Sequence, residues 1–127
     1  MKKGFLLFIL LVLVAVGIAF LYNYAVSSPY RITPEEAKVL IKNKDVDVIL
    51  DVRTEIERET LGYYPGSVHI QAADLENRMP LQFPDKSTRI IAYCNTGQRA
   101  RKAIEKLQKL GYQNTHYIST TYTSLLS

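Results

Sequence analysis

Arg89-Ile90-Ile91-Ala92-Tyr93-Cys94-Asn95-Thr96-Gly97-Gln98-Arg99 decides the reading of this chain. Arg89 to Tyr93 is almost wholly apolar, the pattern of a short strand buried on both faces of a parallel sheet. A polar loop with Gly97 follows. From Arg99 to Leu110 the spacing of Ala103, Leu107 and Leu110, with Ile104, predicts a helix, and Gly111 stands where a left-handed cap ends it. Strand, tight loop and helix therefore meet at Cys94. The N–H groups of such a loop and the free N–H groups of a helix start converge on a cup suited to an anion. A cysteine at the base of a cup of this kind is favoured as thiolate, and Arg99 adds positive charge at its rim. A thiolate in an anion cradle suits attack on sulfur or phosphorus. The competing reading of Cys94 is a buried cysteine packing as a small apolar side chain.

Outward from this junction, strands and helices alternate. Thr33-Pro34-Glu35-Glu36 reads as a capped helix start running to about Lys42. Asp47–Val52, Val68–Ile70 and Thr115–Ile118 read as strands. Glu55–Glu59 has room for one or two helical turns, and Ala73–Arg78 is predicted helical with Pro80 as its stop. Alternation of this kind implies parallel pairing and an α/β layered fold.

The N-terminal segment is of another kind. Met1-Lys2-Lys3-Gly4 is a short basic start, and Phe5–Tyr22 runs 18 residues without a charge. About 20 helical residues cross a hydrocarbon core of roughly 30 Å. The expectation is a transmembrane helix over about 5–22, with Tyr22 and Tyr24 at the interface and Asn23 to Pro29 as linker. Lys2 and Lys3 place the N-terminus in the cytoplasm and the rest outside, periplasmic or extracellular. The alternative is a secretory signal cut after Gly17-Ile18-Ala19, leaving a secreted domain. The chain thus divides into residues 1–28, anchor and linker, and residues 29–127, the domain.

Without residues 1–28, 99 residues remain, enough for one small core. The formal net charge of +4 falls to +2 once Lys2 and Lys3 are set aside, and aromatics are not interleaved with basic residues, so nucleic-acid binding is not expected. Cys94 is the only cysteine, which excludes an intramolecular disulfide, a CxxC pair and a multi-cysteine zinc site. His69 and His116 have no ligand-spaced partner, so no metal is expected. Arg101, Lys102, Lys106 and Lys109 read as a solvated helix face.

Four segments then carry a family resemblance: Asp51-Val52-Arg53-Thr54, Gly62-Tyr63-Tyr64-Pro65-Gly66-Ser67, Tyr93-Cys94-Asn95-Thr96-Gly97-Gln98-Arg99, and Gly111-Tyr112-Gln113-Asn114. In that order they resemble the DVRT, GHIPGA, YCxxGxR and GYxNV segments of single-domain rhodaneses, the thiosulfate sulfurtransferases, over roughly residues 31–118. The resemblance implies a three-layer α/β rhodanese-like domain with a small, mainly parallel sheet. It implies that Cys94 takes sulfane sulfur from an anionic donor such as thiosulfate, as a persulfide, and passes it to cyanide or a thiol. Asn95, Thr96, Gly97, Gln98 and Arg99 would hold the persulfide and donor, with no cofactor. Asp51 and Arg53 are read as structural support. Related cysteine phosphatases put one residue more between cysteine and arginine, in a wider cup, so phosphatase and arsenate-reductase chemistry are not expected.

The sequence also departs from the family. One extra residue lies between Arg53 and Gly62, which leaves Glu57 and Arg58 unaligned. Tyr63-Tyr64 replaces His-Ile, and Ala100 replaces a serine. The usual Gly-Gly after the last strand is missing from Ser119 to Ser127, so part of the loop's wall is expected to be altered. These departures motivate a second hypothesis, a catalytically weak binding or thiol-sensing module at the membrane. A lone thiol on an oxidising outer face would also call for a reducing partner protein.

Overall fold

The computed structural model describes residues 2–126; Met1 and Ser127 lie outside the described residues. Helix α1 (Lys2–Val26) comes first, followed by α2 (Pro34–Lys42), β1 (Val48–Asp51), α3 (Glu55–Leu61), β2 (Val68–His69), α4 (Leu75–Gln82), β3 (Ile90–Tyr93), α5 (Gln98–Lys109) and β4 (Thr115–Tyr117). A 3-10 turn precedes α4 and another, Tyr122–Leu125, closes the described chain.

The four strands form one parallel sheet in the order β2-β1-β3-β4. Alternation along β3 splits the core. Ile90, Ala92 and Cys94 face Ala100, Ala103, Ile104 and Leu107 of α5 and Leu75 and Met79 of α4. Ile91 and Tyr93 face Ala37 of α2, Ile118 and Leu125. The domain is therefore three layers, with period-2 side chains feeding both faces of a central strand. From β1 the chain goes to one neighbour, β2, and later returns to the other, β3. The crevice at the strand C-termini between β1 and β3 is thus the topological switch point, where ligands bind in open α/β sheets. Asp51 pairs in register with Tyr93 there, one residue before Cys94.

Helix α2 starts as predicted: Thr33 accepts from the Glu36 N–H, and the Glu36 carboxylate accepts from the Thr33 N–H. Two expectations are corrected. Pro80 does not stop its helix, which continues to Gln82. Leu75 and Met79 are fully buried, and the Phe83 N–H reaches the Met79 carbonyl at 2.7 Å, so packing and closure past the proline offset its missing donor. The linker expected from Asn23 is helical to Val26, because no helix breaker occurs before Ser27-Ser28-Pro29.

Helix α1 is apolar and exposed from Lys2 through Tyr24, and Lys2–Ala25 is long and apolar enough to span a membrane. Its last turn touches the domain. The Tyr22 hydroxyl donates to the Thr96 carbonyl at 3.3 Å, and Arg31 donates to the Asn23 side chain at 3.2 Å.

Candidate active site at the end of β3

Cys94 leaves β3 on the α5 face and is buried. Its Sγ accepts from the Gly97 N–H at 3.0 Å, so the loop folds back over the sulfur. Gly97 has φ +98°, a left-handed backbone. A Cβ there would also lie 2.6 Å from the Ser119 Cα, so a side chain is excluded by both backbone and space. Helix α5 begins at the next residue and aims its free N–H groups toward the loop. A strand end, a left-handed glycine and a helix start thus converge on one sulfur atom.

The predicted loop residues divide. Asn95 and Arg99 are engaged from beneath. Thr96 and Gln98 are exposed, and Thr96 presents its carbonyl to Tyr22. Asn95 bridges two elements: its Oδ1 accepts from Arg53 at 3.3 Å, and its Nδ2 donates to Glu57 at 2.7 Å. Both Arg99 terminal nitrogens reach the Glu57 carboxylate, at 2.6 and 2.7 Å. Arg99 is 40% exposed and Glu57 25%. The hydrogen bonds from Arg99 pull the Glu57 carboxyl down to about 2, and the same bonds raise the Arg99 guanidinium.

The sequence marks Glu57 only as an unaligned position, not as a site residue. A signal for it existed. Thr54-Glu55-Ile56-Glu57 has capping-box spacing, and Thr54 caps α3 with Glu57 returning the bond to the Thr54 N–H. The cap turns the Glu57 carboxylate toward the loop. Arg58, on the same helix α3, also points inward. It donates to Asp51, to the Ser67 hydroxyl and to the Ser67 carbonyl.

Asp51 and Arg53 form a buried brace. Both side chains are fully buried, and Arg53 grips the Asp51 carboxylate with two nitrogens at 2.9 Å each. Arg53 also donates to the Gly62 carbonyl at 2.6 Å and lies over the rings of Tyr93 and Tyr122. Burial pushes the Asp51 carboxyl up, and the Arg53 bonds and charge more than cancel this, leaving it below the usual range. Burial raises the Tyr93 phenol, which donates to Asp51 at 3.1 Å.

The wall expected to be altered by the missing glycines is formed by Ser119 and Tyr122. Ser119 packs against Gly97, and Tyr122 packs against Tyr93 and donates to the Leu61 carbonyl at 3.2 Å. The Tyr122 hydroxyl also occupies the space that a Gly62 Cβ would need. His69 sits against the Arg53 carbonyl at 2.7 Å. Among the described residues no group of three or more His, Cys, Asp or Glu side chains is arranged to hold a metal ion.

A thiol at the switch point of a small parallel sheet, under a loop that opens a helix, is the architecture of single-cysteine α/β domains. Within that class the chain belongs to the rhodanese-like domain family, whose profile matches residues 33–125. A mouse thiosulfate sulfurtransferase/rhodanese-like domain-containing protein 3 is 31% identical over 103 residues, covering 72% of this chain and 65% of the relative. The Escherichia coli thiosulfate sulfurtransferase PspE is 30% identical over 63 residues, covering 50% of this chain and 60% of its own. The chain thus spans less than two thirds of either relative. A solved structure from Rhodopseudomonas palustris, of a protein of unknown function described as a possible tyrosine phosphatase, superposes with a TM-score of 0.68. It is 26% identical and covers 82% of this chain and 84% of its own.

Proposed function

We propose that this chain is a sulfurtransferase that carries sulfane sulfur on Cys94. The Gly97 N–H seated on the Cys94 Sγ carries the reading, because a donor aimed at the sulfur stabilises negative charge there before and after transfer. The Cys94 thiolate attacks the outer sulfur of thiosulfate. An S–S bond forms to Cys94, the donor's S–S bond breaks, and sulfite leaves with the electron pair. The terminal persulfide sulfur then passes to cyanide, giving thiocyanate, or to a thiolate, giving its persulfide, and the Cys94 thiolate is restored. Asn95, Thr96, Gly97, Gln98 and Arg99 surround the transferred sulfur and the donor. Four residues between Cys94 and Arg99 make a tighter cup than a phosphate requires, which supports sulfur over phosphoryl transfer.

The chain is anchored by α1, whose exposed apolar length supports a membrane span, with Lys2 and Lys3 cytoplasmic and the domain outside. A secreted form cleaved after Ala19 is the alternative. The burial of Cys94 favours a second reading, a rhodanese-like binding or thiol-sensing module. Thiocyanate formation from thiosulfate and cyanide separates the two. Wild type turns over and Cys94→Ser does not, with unchanged circular dichroism. Turnover retained in Cys94→Ser refutes the proposal.

A further inference from the structure

We infer that Glu57 sets the charge selectivity of the sulfur donor, holding Arg99 neutralised so that the cup prefers a monoanionic donor over a dianionic one. The inference rests on the sulfurtransferase reading and adds a specificity residue to it.

Arg99 is the cation nearest the loop's mouth by sequence, yet both its terminal nitrogens already face one carboxylate at 2.6 and 2.7 Å. The other loop contact of that carboxylate is Asn95 at 2.7 Å, so Glu57 is tied to the loop at both ends of the Cys94–Arg99 turn. The Thr54 cap fixes it from the other side. Glu57 is therefore a built part of the rim. The second arginine beneath the loop, Arg53, is spent on Asp51 and fully buried. A donor entering the cup meets loop N–H groups and an ion pair of zero net charge, not an open guanidinium. Loop amides hold a single negative charge well. A second negative charge must be placed against the Glu57 carboxylate.

The test compares two donors of similar shape and different charge. Thiosulfate is a dianion. Methanethiosulfonate is a monoanion that gives up its outer sulfur in the same way: the Cys94 thiolate forms the new S–S bond, the donor's S–S bond breaks, and methanesulfinate leaves. Glu57→Gln is the variant, because glutamine keeps the capping box and the shape and removes only the charge. A unit charge several ångströms away in a screened site shifts binding by roughly threefold per unit of donor charge. In the full chain, kcat/KM for thiosulfate should rise about tenfold and for methanethiosulfonate about threefold, so the ratio of the two rises about threefold. Glu57→Ala, which frees Arg99 outright, should move the ratio the same way and further. An unchanged or lower ratio in both variants overturns the inference while leaving the sulfurtransferase reading intact. Wild-type protein that loads sulfur from neither donor, by intact mass, refutes that reading and the inference with it.

Discussion

Asp51→Asn removes one charge from the brace beneath the active loop and changes almost nothing in volume. Arg53 then keeps a fully buried guanidinium with only neutral acceptors: the asparagine, the Gly62 carbonyl and Asn95. Breaking a buried pair from one side costs about 3–5 kcal/mol, because the remaining charge has no counter-ion and no water. For a domain of this size that corresponds to a fall in Tm of roughly 15–30 °C. Near-ultraviolet circular dichroism of the full chain in detergent is the assay, since the fixed, buried rings of Tyr93, Tyr112 and Tyr117 report domain packing more strongly than the exposed Tyr22 and Tyr24 of α1. The double variant Asp51→Asn/Arg53→Met removes the fully buried orphan, leaves only the partly exposed Arg58 without its Asp51 partner, and should regain at least half of the loss. A coupling of about 2 kcal/mol or more is expected from the cycle. A Tm within about 3 °C of wild type in Asp51→Asn, or losses that simply add, would show that solvent reaches Arg53 and that the pair is not a brace.

Other consequences follow from the loop and the Glu57 contact. Gly97→Ala sets a Cβ against the Ser119 backbone at a left-handed φ. It should cost about 1–3 kcal/mol by thermal melting and lower sulfur transfer more than tenfold; wild-type kinetics in this variant would mean the loop tolerates another path. The Glu57 carboxyl lies at about 2 against an ordinary 4.5, so its stabilising contribution is complete above pH 4.5 and lost as pH falls toward 2. Allowing for the partial exposure of both partners, that contribution is ~1–2 kcal/mol. Acid melting curves of wild type and Glu57→Gln should therefore converge below pH 4.5, and curves that stay parallel would show that the ion pair adds nothing.

The fold was legible because its signals are local and repeated. Thr33 with Glu36, the apolar run from Ile90 to Tyr93, and the spacing of Ala103, Ile104 and Leu107 each specify one element, and alternation specifies parallel pairing. Pro80 misled because a proline's local cost was weighed without the burial of Leu75 and Met79, which only tertiary packing supplies. At the site, Cys94, Gly97 and Arg99 could be read from strand, loop and helix in sequence order. Glu57 could not be linked to Arg99 from order alone, since 42 residues separate them and only the pairing of β1 with β3 brings them together. How the altered C-terminal wall is built was not legible, for a related reason. Ser119 and Tyr122 supply it through packing, and no motif announces that.

Intact-mass spectrometry of the full chain, before and after incubation with thiosulfate, tests the central claim most directly. The expected result is a gain of one sulfur atom that cyanide removes and that Cys94→Ser never acquires. A folded wild-type protein that gains no sulfur, or a gain that persists in Cys94→Ser, would contradict Cys94 as the sulfur carrier.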